Sequence, residues 1–290
     1  MVLKQINGIY QAPAPHMVGD GFRVHNIFPG GNRIAKKMSP FYLFDYNAPY
    51  PVPPGEKQKG VGVHPHRGFE TVTIALQGAV AHHDSAGNEG TIAPGDVQWM
   101  TAGSGVLHKE YHEKNFSKKG GMFEMIQLWV NLPSKHKMTT PQYQSIKLED
   151  QGKKVLADNA GELIVIAGSC MGVKGPATTF TPINLARINV QANQQIEFEI
   201  PESHQGGIFC LHGEAEVNNE VLKEKELACF DATGKLMRVH AQKNVHLLLM
   251  SGEAINEPIA QYGPFLMNTP EELQQAMEDF NQGKFGQLAD

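Results

Sequence analysis

Apolar residues in this chain come in short runs punctuated by glycine and proline, not in long helical stripes. ETVTIALQGAV, from Glu70 to Val80, is a β-branched run that stops at a glycine turn. DSAGNEG follows as a turn cluster, then TIAPGDVQWMTAG as two more short strands. FEMIQLWVNLP, Phe123 to Pro133, is a bulky strand ended by proline, and GELIVIAGSCMG is a buried-strand candidate. INLARINVQ, QIEFEIP, GGIFCLHGEAEVNN and VHLLLMSGEAI continue the style. Many short strands with turn signals between them predict an all-β sandwich or barrel.

The order of events also repeats. TIALQGAVAHHDSAGNEGTIAPGDVQWM and IFCLHGEAEVNNEVLKEKELACF each run through an apolar strand, a glycine turn, a polar turn and another strand. Two copies of one β-fold are expected, one over residues 1–140 and one over 141–290, joined by the polar segment SKHKMTTPQYQSIKLEDQGKK. The C-terminus breaks the pattern. In TPEELQQAMEDFNQG, Thr269 stands at an N-cap, Pro270 at N1 and Glu272 at N3, a capping box. Leu273, Met277 and Phe280 share one helical face and Gly283 is the expected stop, so a short amphipathic helix packing on a barrel is predicted.

Composition changes this picture little. The 290 residues are 41% hydrophobic and 19% charged, with mean hydropathy -0.33. A net charge of -5 without a basic stripe argues against nucleic acid as a direct partner. No apolar run approaches the ~20 residues a membrane helix needs. The opening MVLKQINGIYQAPAP has no signal-peptide pattern, so a cytoplasmic location is expected. Cys170, Cys210 and Cys229 are widely spaced and read as buried free thiols.

The chemistry concentrates in two places. HPHRGFETVTIALQG opens with His64 and His66, which point the same way on a strand. GSGVLHKEYHE places His108 and Glu110 at the same spacing. Two antiparallel strands offering two such side chains each can hold one ion. Three imidazoles and a carboxylate suit Fe(II), Mn, Ni, Cu, Zn or Co better than Ca or Mg. The alternative is that they are separate surface histidines.

These segments resemble the cupin superfamily: HPH, Glu70 and Gly78 match its first motif, and GSGVLH the second. HPHRGFETVTIALQG, HDSAGN, PGDVQWMTAGSGVLHKE, YGPFLMNTPEE and FYLFDYNAP resemble, more closely, the pirin family. The resemblance implies a bicupin, two antiparallel jelly-roll barrels, with one divalent metal, usually Fe(2+), in the N-terminal barrel. It carries the metal ligands onto His64, His66, His108 and Glu110. Glu70 matches the general cupin carboxylate ligand, but the closer family takes its carboxylate at Glu110, which leaves Glu70 a supporting role. The second barrel is expected to hold no metal, because Pro201 and Gln205 stand where ligands are needed and His204, His212, His240 and His246 lack the pair spacing.

The resemblance further implies a quercetin 2,3-dioxygenase that uses a flavonol and O2, with Glu110 as catalytic base. The competing expectation is a redox-sensitive regulator that binds a transcription factor or metabolic enzyme. A monomer is expected. His82 and His83 read as turn histidines, Asp84 as a turn residue, His112 as an exposed loop residue, and Trp99 and Met100 as core. Phe69, Phe123 and Met125 read as core or cavity wall.

Overall fold

The computed structural model describes residues 2–289. The short apolar runs form strands, and the chain is the expected all-β pair of jelly-roll barrels with a short C-terminal helix. It divides into two compact units, each with a seven-stranded and a four-stranded sheet.

The unit carrying the histidine pairs comprises Ala14–Gly31, Tyr42–Leu148 and the segment from Ile255 onward. Its larger sheet runs in the order Gln142–Ile146, Val97–Thr101, Phe69–Gln77, Gly121–Asn131, Phe41–Val52, Phe22–Phe28, His16–Val18. Its smaller sheet runs Gly60–His66, Val106–His112, Val80–Asp84, Glu89–Ile92. The other unit comprises the segment up to Pro13, Asn32–Phe41 and Glu149–Ala254. Its buried interior includes Leu163, Val165, Ile188, Ile208, Leu247 and Leu249.

The internal echo is a shared strand motif. Phe69–Gln77 pairs with Val97–Thr101 while Val80–Asp84 pairs with Glu89–Ile92. His204–His212 pairs with Glu226–Phe230 in the same way, and Glu214–Val217 with Glu220–Lys223. By the same topology, Gln194–Glu199 and Leu236–Ala241 correspond to the two strands that carry the histidine pairs. Their inward residues are apolar: Ile196, Phe198, Met237 and Val239 all sit in that unit's core. Pro201 and Gln205 lie beyond the corresponding strand.

A single cut at residue 140 does not describe these units, because both chain ends are exchanged. Ile6–Gln11 forms an edge strand against Glu226–Phe230 in the Glu149–Ala254 unit. Lys4 is buried there, and its ammonium donates to His204 O at 2.8 Å. The C-terminal helix, Pro270–Asn281, belongs instead to the histidine-bearing unit. Its capping box is present: Thr269 Oγ1 accepts from Glu272 N, and the Glu272 carboxylate accepts from Thr269 N. Gly283 follows with φ +72°, a left-handed stop suited to glycine. Ala276 packs with Phe265 and Phe285, and Leu273, Met277 and Leu107 join that cluster. Leu107 immediately precedes His108, so the helix presses on a site strand. Phe280, expected on the packing face, is 39% exposed.

Candidate metal centre

The site grows out of strand register. His108 lies opposite His64 on one side and opposite Asp84 on the other. Glu110 lies opposite His82. A bulge between His108 and Glu110 shifts the pairing with the Gly60–His66 strand, so Glu110 meets Val61 there. Alternation keeps His64, His66, His108 and Glu110 on the inner face.

The three predicted histidines converge. His66 Nε2 and His108 Nε2 are 3.0 Å apart. The His64 ring centroid is 4.8 Å from that of His66 and 4.3 Å from that of His108. One ligand atom from each of the three lies within 4.8 Å of the others. His64 Nδ1 donates to Gly62 O at 2.8 Å, which leaves Nε2 with its lone pair available. Burial, reinforced by the neighbouring imidazoles, pushes His66 and His108 well below the ordinary histidine range. They stand as neutral imidazoles, the form a metal binds.

Glu110 meets the same distance limit with His108 and His82 rather than with all three predicted histidines. It is 3% exposed, accepting from Thr73 Oγ1 at 3.1 Å and Gln127 Nε2 at 2.7 Å. Both of its oxygens are thus oriented. It opens with His64 and His66 onto one cavity of about 350 Å³. Phe22, Val24, Met125 and Trp129 supply apolar wall, and Asp45 and Asn47 line it from another strand. Burial raises the Asp45 carboxyl to about 6, opposed by a hydrogen bond donated by Asn26 Nδ2.

His82, expected in a turn, lies in the Val80–Asp84 strand and is fully buried behind the site. Its Nδ1 is 3.4 Å from His108 Nδ1, and its Nε2 is 3.5 Å from an Asp84 oxygen. Tyr143 stacks on its other side, with centroids 5.3 Å apart. Asp84 also caps the turn as expected, accepting from Ala86 N and Asn88 N. Alternation along the chain carries the signal: His82 and Asp84 share a face two residues apart, as His64 with His66 and His108 with Glu110 do. His112 is likewise buried, in the Val106–His112 strand among Phe22, Phe116 and Phe123, not exposed in a loop. Burial lowers it to about 4. Glu70 alternates with Thr71 and Thr73, so it leaves the inner face and accepts from Thr101 Oγ1 at 2.7 Å. Burial pushes its carboxyl up to about 7. Trp99 and Met100 are core as expected, and Met125 is cavity wall.

The donor set fits a transition ion. Two nitrogens each about 2.1 Å from one ion stand about 3.0 Å apart at a right angle and about 3.4 Å apart in a tetrahedron. The 3.0 Å between His66 Nε2 and His108 Nε2 lets both nitrogens reach one ion. His82, His108 and Glu110 form a second candidate triad, of which only Glu110 lines the cavity, whereas the first triad lines it with both His64 and His66.

Two jelly-roll units, one with three converging imidazoles of which two line a cavity, define a bicupin. A profile described as Pirin matches residues 21–130, and one described as Pirin C-terminal cupin domain matches 185–286. The chain belongs to the pirin family. A Pseudomonas aeruginosa protein that carries quercetin 2,3-dioxygenase as a provisional name is 46% identical, over 98% of this chain and 99% of its own. Human pirin is 35% identical, over 92% of this chain and 89% of its own. A solved structure of quercetin 2,3-dioxygenase from Acinetobacter baumannii superposes with TM-score 0.95 at 47% identity, covering 99% of this chain and all of that one. No helix among the described residues is long and apolar enough to cross a membrane.

Proposed function

We propose that this protein is a metal-dependent dioxygenase that opens the central ring of flavonols such as quercetin. The carrying observation is the convergence of His64, His66 and His108 beside a small, mostly apolar cavity that His64, His66 and Glu110 line. Relatives named for this activity add support. The ion is assigned as one divalent transition metal, with Fe(2+) first and Zn, Ni, Cu, Mn or Co as alternatives that metal analysis separates.

His64, His66 and His108 would hold the ion, with Glu110 as the fourth protein ligand. When bound, it supplies Lewis acidity and a template for the flavonol beside dioxygen. The chain's own residues do the rest. Glu110 takes the proton from the flavonol 3-hydroxyl, and its other oxygen stays oriented by Thr73 or Gln127. Phe22, Val24, Met125 and Trp129 hold the flat rings and exclude water. Flavonol plus O2 gives a depside plus CO, with both atoms of dioxygen in the depside.

The test is oxygen uptake and CO release with quercetin on metal-loaded protein, against Glu110→Ala. Loss of about 100-fold or more in rate is expected for removal of the base. Unchanged turnover in the variant removes Glu110 from the mechanism. No uptake with any flavonol by the loaded wild type favours the regulator reading, in which the metal modulates binding of a protein partner.

A further inference from the structure

Asn47 lines the cavity, is fully buried, and has neither amide atom hydrogen-bonded to the protein. A buried amide left unpaired is destabilising, so an apolar residue of the same size would serve the fold better. Its neighbours show what an amide there can do. Asp45 and Asn47 are two residues apart on Phe41–Val52 and so share the inward face. That strand is two places from Phe69–Gln77 in the sheet, where Thr73 touches Glu110. Two strand spacings are about 10 Å. Asn47 lines the same cavity as His64 and His66, so a flat three-ring molecule held by its chelating edge at the histidines has Asn47 among the groups that can meet its other rings. On the strand between, Met125 and Trp129 are apolar and the Gln127 amide is already engaged with Glu110.

We propose that Asn47 is a specificity-determining residue that hydrogen-bonds a ring hydroxyl of the substrate remote from the chelating 3-hydroxyl and 4-carbonyl. The side chain both donates and accepts, which matches a phenolic hydroxyl in either role. The inference rests on the flavonol reading and deepens it: the ligand class is a polyhydroxylated flavonol rather than any flavonol. A site that pairs a buried amide with a substrate hydroxyl discriminates against analogues lacking that hydroxyl, because the amide is then left unpaired.

The test is anaerobic titration of metal-loaded protein with quercetin and with 3-hydroxyflavone, which keeps the chelating edge and lacks the other hydroxyls. Wild type is compared with Asn47→Leu, and with Asn47→Ala if the leucine variant does not fold. Quercetin is expected to bind about fivefold to tenfold more weakly to the variant, the loss of one net hydrogen bond. Binding of 3-hydroxyflavone should change less than about twofold, and Asn47→Leu should melt no lower than wild type without ligand. Equal weakening of both flavonols, or none, overturns the role of Asn47 and leaves the flavonol reading standing. Failure of the loaded wild type to bind either flavonol overturns both.

Discussion

His108 has two ring nitrogens with different tasks: Nε2 faces His66 and Nδ1 faces His82. If Nε2 holds the ion, Nδ1 carries the proton and donates to His82, whose own Nε2–H then faces Asp84. Such partners fix tautomer and ring angle, and their loss typically costs 10–100-fold in metal affinity. His82→Phe fills the same space without the acceptor. We expect it to weaken metal binding by that factor in a chelator-competition titration, while His83→Ala, at a half-exposed position, leaves affinity unchanged. Glu70 offers a prediction of another kind. Its folded pKa, about 7, lies above the unbound carboxyl value of 4.5. The folded state then holds the extra proton between these values, so Glu70 stabilises most below pH 4.5 and loses that contribution as pH rises through 7. Glu70→Gln should gain stability relative to wild type from pH 5 to pH 8, by on the order of 3 kcal/mol in urea titrations. A constant difference across that range sinks the assignment.

At the scale of elements, the centre depends on two strands kept in register and on the helix that presses against one of them. Arg67, directly after His66, donates through Nη1 to Asp279 of the C-terminal helix at 2.8 Å and through Nε to Ser104 O at 2.8 Å. Its guanidinium also lies 4.6 Å from the Phe285 ring centroid. Arg67 therefore ties the end of the Gly60–His66 strand to the turn before Val106–His112. Gly105 in that turn has φ +126°, and an added Cβ would come within 2.5 Å of Phe285. Asp279→Ala leaves Arg67 buried without its counter-charge. We expect a loss of about 3–5 kcal/mol in urea unfolding, with weaker metal retention, because both strands of the candidate centre lose a shared anchor. Full stability in that variant would show that the helix is not what holds the strands.

At the scale of the molecule, one unit carries the candidate centre and the other fills the corresponding strands with core. An ion held by the folded state alone adds stability by mass action, about 2.7 kcal/mol at a hundredfold excess over Kd. Stripping the metal with a chelator should lower Tm, and adding it back should restore Tm. The same treatment should leave Tm unmoved in His66→Ala/His108→Ala. Much of this architecture was legible in the chain. Short apolar runs, turn residues and the Thr269 capping box are local signals, and strand alternation alone puts His64 with His66 and His108 with Glu110. What alternation leaves open is which strands become neighbours. His82, Asp84 and Asn47 acquire meaning only when the Val80–Asp84 and Phe41–Val52 strands are placed in their sheets. Likewise the exchange of the two ends depends on pairings such as Ile6 with Phe230 and Arg67 with Asp279, far apart along the chain. Periodicity is a property of consecutive residues and survives in the sequence; burial and partnership are set by which distant segments close over a residue, and only the folded chain decides that.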